Sequence, residues 1–307
     1  MPFWDKKASE VPDWARPLSP EKYALFVTTV GETLDAIHSS DQRDFIRDGV
    51  LRLRNSAGSV ESFGLQNLAQ LLALEPTGEW TRLVAEHFET MLTVDELPQS
   101  GAEIIQALRV RMWHPDYVQQ APDVVHRVLA PGLVLALVID LPKKVMSVKS
   151  GELKAWGLTE ELAWSAGEEN SRREPFELIP QPRPDGIELF FLVGDNLYVT
   201  SQALWLDQRV KIEPENGALV GIPTRHLLVV LPIHNVRMVQ AVGAMHAANR
   251  NIFDEGPGSV SPDIYWWQRG TFTLFPIDTS VQPMRVTPPD AFVEMLNRLA
   301  AAEKASG

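Results

Sequence analysis

The chain has 307 residues and is 45% hydrophobic and 22% charged, a balance that sustains a buried core and argues against a disordered polymer. Its formal charge of -12 disfavours nucleic acid and anionic lipid as partners. It contains no cysteine, so disulfides, thiolate catalysis and zinc–thiolate sites are excluded, and a reducing, cytoplasmic setting is expected.

Residues 1–18 carry Trp4, Trp14 and several prolines without periodicity, and an extended arm whose tryptophans dock on the body is expected. Ser19-Pro20-Glu21 then has the cap, first-turn proline and acid of a helix start. Tyr23, Phe26, Val27, Val30 and Leu34 continue at helical spacing. Further helices are expected over 63–74, 79–92 and 101–112, with Leu51-Arg52-Leu53-Arg54 alternating like a strand. Residues 19–115 are therefore predicted to be mainly helical.

The pattern changes after Pro131. The run Leu133–Ile139 is apolar throughout, as in a strand covered on both faces, and too short to span a membrane. A second strand over 145–148 and helices over 150–156 and 159–170 follow. A proline-rich loop is expected over 175–184, then a strand over 187–193 and a helix over 200–210. Strands over 218–222 and 227–231 flank a hairpin turn containing Arg225-His226. Asn235 is placed to cap a helix reaching about Asn251, Ser261-Pro262-Asp263 to start a short helical turn, and Thr271–Phe275 to form a closing strand. The predicted class is α+β: a helical region, a mixed-sheet α/β domain over 116–280 with two strand–strand–helix units, and a linker and helix over 281–307.

Candidate chemistry is sparse. No phosphate-loop, nucleophile-elbow or zinc-protease motif occurs, and no cofactor or metal is implied. His114-Pro115-Asp116 matches the tripeptide of J-domain co-chaperones. The aromatic-Leu-Gly signature that should precede it is missing, so it is read as the end of a helix. Gly256-Pro257-Gly258 lacks the strand and long helix of a phosphate loop and is read as a connector. Asp140 ends the buried strand, where open α/β sheets place functional groups. With Arg225 and His226 it forms the candidate catalytic set of a hydrolase-like enzyme. Tyr265, Trp266, Trp267 and Arg269 have the composition of an interface hot spot and form the candidate partner-binding set if one indole is exposed.

The stretch of about 105–280 resembles the bacterial family of uncharacterised proteins called DUF1444 (YtpQ-like). The resemblance lies in the strand ending at Asp140, in Glu152-Leu153-Lys154-Ala155-Trp156-Gly157-Leu158, in Val220-Gly221-Ile222-Pro223-Thr224-Arg225, and in Ser261-Pro262-Asp263-Ile264-Tyr265-Trp266. It implies the architecture and brings no established activity. The function expected from the sequence is that of a non-catalytic, protein-interacting bacterial protein, of which an acidic inhibitor or immunity protein is one form. An enzyme of the hydrolase type and a small-ligand-binding domain are the alternatives.

Overall fold

The computed structural model describes residues 11–37, 43–45, 49–54, 60–92, 98–119, 121–183, 186–281 and 283–306. The expected docking of Trp4 falls outside them. Two compact units divide the chain: Met1–Asp95 with Asp254–Gly258, and Glu96–Phe253 with Ser259–Gly307.

The first unit holds helix α1 (Pro20–Ile37), strands β1 (Arg43–Phe45), β2 (Val50–Arg54) and β3 (Val60–Gly64), and helices α2 (Gln66–Leu74) and α3 (Trp80–Leu92). Its strands form an antiparallel sheet in the order β1-β2-β3. Phe26, Val30 and Leu34 lie four apart on one stripe of α1 and are buried. They share a core with Leu68 and Leu72 of α2 and with Trp80, Val84 and Phe88 of α3. Trp14 packs edge-on against Tyr23 and Phe26, as its place in the arm suggested. Its ring also fixes Gly49, where φ is +73° and an added Cβ would lie 2.6 Å from the indole.

The second unit begins with α4 (Gly101–Ala107), β4 (Leu108–Trp113), α5 (Asp116–Gln119), β5 (His126–Ala130), β6 (Leu133–Asp140), β7 (Val145–Ser147), α6 (Ser150–Ala155) and α7 (Glu160–Arg172). It continues with β8 (Glu177–Pro182), β9 (Glu188–Val193), a 3-10 segment (Val199–Gln208), β10 (Ala218–Thr224), β11 (Leu227–Pro232) and α8 (Val239–Glu255). It ends with β12 (Ile264–Gln268), β13 (Thr271–Phe275), the short pair β14 (Ile277–Asp278) and β15 (Arg285–Val286), and α9 (Asp290–Ser306). A four-stranded sheet has the order β4-β6-β5, with β7 also on β6. A six-stranded sheet runs β13-β12-β10-β11-β9-β8.

The α+β class is observed, with two corrections. Every pairing among the described strands is antiparallel, where a mixed sheet was expected. The two strand–strand–helix successions exist as β6-β7-α6/α7 and β10-β11-α8, but their hairpins belong to different sheets. The boundary near 115 also moves, because α4 and β4 belong to the second unit. Helix α4 starts on a capping box between Ser100 and Glu103 and stops at Leu108, whose ψ of 136° is extended. From Leu108 every second side chain is buried, and β4 pairs with β6 over its full length. A strand partner distant in sequence thus ends a helix that local periodicity would continue to Met112.

The expected proline-rich loop contains the edge strand β8, paired with β9 from Glu177 to Pro182. Proline has no N–H to give a ladder, so Pro180 and Pro182 occupy positions whose nitrogens face away from β9. Ser261-Pro262-Asp263 forms no helical turn and leads directly into β12.

Antiparallel pairing places alternate residues on opposite faces, and both faces of the central strands β10, β11 and β12 are covered. Val220, Tyr265 and Trp267 join the core shared with Val110, Leu135 and Leu137 of the four-stranded sheet. Leu219, Val229 and Trp266 face α8 and α9 through Val242, Met245 and Phe292. All seven residues of β10 are buried for this reason.

Candidate functional site

The most polar crowding in the second unit begins on β4, where Leu108, Val110 and Met112 point inward and Arg109, Arg111 and Trp113 take the other face. The outer edge of β4 is closed by side chains. Val110 N donates to Ser171 Oγ at 2.8 Å, and Val110 O accepts from Ser201 Oγ at 2.6 Å. Asn170 Nδ2 donates to Leu108 O at 3.0 Å. These bonds fix α7 and the 199–208 segment against the strand that carries the arginines.

The two arginines differ in partners. Arg109 Nε donates to Glu174 Oε1 at 2.7 Å in a mostly buried ion pair, and its guanidinium lies 5.9 Å from the Tyr198 ring centre. Arg111 has no ion-pair or hydrogen-bond partner among the described residues, and its Nε is buried without an acceptor. Its guanidinium lies 5.6 Å from the Trp113 ring centre. Burial, and then the charge of Arg225, lower the Arg111 pKa to about 10, so it remains cationic at neutral pH. The residue's exposure is intermediate, although Nε itself is inaccessible.

Arg225 and His226 are the two turn residues between β10 and β11. Arg225 Nε donates to His226 Nε2 at 2.9 Å. The other ring nitrogen therefore carries the proton, and His226 Nδ1 donates to Gly194 O at 3.1 Å. Burial first, and then the Arg225 charge, lower the His226 pKa, consistent with this neutral tautomer. Burial also lowers the Arg225 pKa. Gly194 admits no side chain, since a Cβ there would lie 2.8 Å from Val199 Cγ2.

Tyr198 stands at the end of the loop after β9, where its backbone N donates to Asn196 Oδ1 at 2.8 Å. It is 3% exposed, and its hydroxyl makes no well-formed hydrogen bond among the described residues. Burial raises its pKa most, and the nearby Asp140 carboxylate raises it further. Asp140, the last residue of β6, is therefore an acceptor for the phenol, outside good hydrogen-bond geometry.

Of the sequence-derived catalytic set, Arg225 and His226 are thus in direct contact, and Asp140 reaches them only by way of Tyr198 and Arg111. Arg111 and Tyr198 were not among the sequence candidates. The alternation Arg109-Val110-Arg111-Met112 was the available signal, since two cations on one strand face call for acceptors.

The aromatic set lies elsewhere and does not meet the condition placed on it. Tyr265 is 0%, Trp266 6% and Trp267 1% exposed, because β12 sits between β10 and β13 with both faces covered. Trp266 Nε1 donates to Asn216 O at 2.9 Å. Only Arg269 reaches solvent, in the β12–β13 turn at a φ of 50°. An exposed-indole partner surface is therefore absent from this segment.

His114 and Asp116 of the J-domain-like tripeptide form a local pair at 3.2 Å between β4 and α5. The tripeptide follows a strand, where the end of a helix was expected. A shallow groove of about 440 Å³ lies along α7, but its cations are engaged. Arg127 pairs with Glu168 at 3.1 Å and stacks over Trp164, and Arg172 donates to Gln208. No group of three or more His, Asp or Glu suited to a metal occurs among the described residues, nor does any helix long and apolar enough to cross a membrane.

No family model, curated protein or solved structure matches the chain.

Proposed function

We propose that this protein acts by binding, not by acid–base catalysis, and that Arg111, Tyr198 and Arg225 form its contact site. The carrying observation is Arg111 Nε, a buried donor left without an acceptor beside a second guanidinium, with the Tyr198 hydroxyl in no well-formed hydrogen bond. Buried donors in a folded protein are nearly always satisfied, so each such group invites an explanation by a ligand. A general base needs a free nitrogen within hydrogen-bond reach of its substrate. His226 has committed both, one to Arg225 and one to Gly194.

The non-catalytic character expected from the sequence is kept, and the contact moves from 265–269 to this cluster. The acidic-inhibitor form loses one of its supports, because Trp266 and Trp267 are buried. The cysteine-free composition supports a cytoplasmic setting, and kinship with DUF1444 proteins remains our proposal on the residues of 105–280.

The test is hydrolysis of p-nitrophenyl acetate and p-nitrophenyl phosphate by the full chain and by His226→Ala. Equal background rates are expected from both proteins. Turnover by the wild type that His226→Ala abolishes would overturn the binding proposal in favour of a hydrolase.

A further inference from the structure

We propose that the Arg111–Tyr198–Arg225 cluster is a binding site for a phosphate group, as inorganic phosphate or a small phosphomonoester, an assignment that rests on the binding function proposed above.

The case for an anion is one of charge. The chain carries 40 acidic residues against 28 lysines and arginines, yet none of its described acids forms an ion pair with Arg111 or Arg225. Neighbouring Arg109 shows the ordinary solution, with Glu174 at 2.7 Å. Two guanidiniums without an ion pair, both partly buried, are costly, and an anion between them relieves both.

The case for a tetrahedral oxyanion is one of placement. The donors come from three separate segments: Arg111 from β4, Tyr198 from the loop after β9, and Arg225 from the β10–β11 turn. A planar carboxylate is satisfied by the two parallel N–H groups of a single guanidinium. Donors arriving from several segments match the four oxygens of a phosphate better. The Arg225 guanidinium is held in place, because its Nε is bonded to His226 and His226 is bonded to Gly194. Its terminal nitrogens have no partner among the described residues and are available to the ligand.

The case for phosphate over sulfate rests on Asp140. This acceptor faces the Tyr198 hydroxyl at the edge of the cluster. A phosphate with a second pKa near about 6 to 7 still carries a proton part of the time at neutral pH, and that proton can be donated to a carboxylate. Sulfate has none to give and meets Asp140 as a bare like charge.

The experiment is isothermal titration of the full chain at neutral pH with sodium phosphate, sulfate and acetate at matched ionic strength. Phosphate is expected to bind one to one and at least about ten-fold tighter than sulfate or acetate, the size of one charge-assisted hydrogen bond. Arg111→Gln should weaken phosphate binding by about ten-fold or more. Asp140→Asn should narrow the preference over sulfate. Arg127→Gln, on β5, should leave binding unchanged, and circular dichroism should show every variant folded. No binding of any anion, equal binding of all three, or phosphate binding indifferent to Arg111→Gln would overturn the assignment. If the p-nitrophenyl substrates are also left intact, those same results remove phosphate while the broader binding function stands.

Discussion

At the entry to β12, Ser261 Oγ and the Tyr265 hydroxyl share a hydrogen bond of 2.8 Å. Asp263 N donates to Ser261 Oγ at 3.2 Å, and the Tyr265 hydroxyl also reaches Pro131 O at 3.3 Å. Asn249 Nδ2 spans the carbonyls of Ser261 and Asp263, while its Oδ1 is pressed against Gly221. Around Arg111, Tyr198 and Arg225 the same kinds of group occur in the same unit, yet Arg111 Nε has no acceptor and the phenol has only Asp140, outside good hydrogen-bond geometry. Both tyrosines are nearly inaccessible and both pKa values are raised by burial. Burial alone therefore does not distinguish them. The accounting of partners does: the Tyr265 cluster is closed by the fold except at Asn249 Oδ1, whereas the Arg111 cluster stays open at a whole guanidinium.

That contrast breaks if substitutions in the two clusters have similar costs. The largest effect is expected beside the closed cluster. Trp267→Ala removes an indole that is 1% exposed and should cost about 3–5 kcal/mol in urea unfolding. Tyr265→Phe removes a hydroxyl with two partners and should cost about 1–2 kcal/mol by the same measurement. In the open cluster, Arg111→Gln should leave stability within about 1 kcal/mol of wild type, because no ion pair is lost and an unpaired charge is removed. Tyr198→Phe deletes a hydroxyl that makes no well-formed hydrogen bond and should change stability by less than about 0.5 kcal/mol. A loss from Tyr198→Phe equal to that from Tyr265→Phe would show that the two clusters are alike.

The last effect is a pH dependence. Burial and Arg225 hold the His226 pKa below its ordinary value. Above about pH 6.5 the imidazole is neutral in both folded and unfolded chains and contributes no pH dependence. Below that, the unfolded chain takes up the proton first, so stability falls until pH drops past the folded value. His226→Gln should make this acid loss shallower in unfolding curves taken between about pH 7.5 and 5.5. His246, lowered by burial and Arg250, should supply part of the remainder.

Much of the second unit was legible in the sequence because its signals are local. The apolar run of β6, the β10–β11 hairpin and the helix after Asn235 each announce themselves within about ten residues. β4 and β8 were misread because their partners are distant. Arg111 lies opposite Ala136, and Pro180 opposite Phe190, and only those pairings make strands of segments resembling a helix end and a loop. The site follows the same rule. Asp140, Arg225 and His226 stood out at a strand end and a turn, whereas Arg111 and Tyr198 acquire meaning only when β4 meets segments 85 and more residues away. The aromatic segment misled in the opposite direction. Alternation alone leaves one indole of Trp266-Trp267 on an outer face, and it is α8 and α9 that cover it.

The two prolines of β8 carry a consequence for life at high concentration. A bare sheet edge is a template on which a second chain can stack, the first step toward fibrils and amorphous aggregates. With Pro180 and Pro182 turned outward, successive donor positions on this edge are blank, and an incoming strand finds carbonyls without matching N–H groups. A segment with the composition of a loop thus acts as a guard on solubility at an edge of the largest sheet in the second unit.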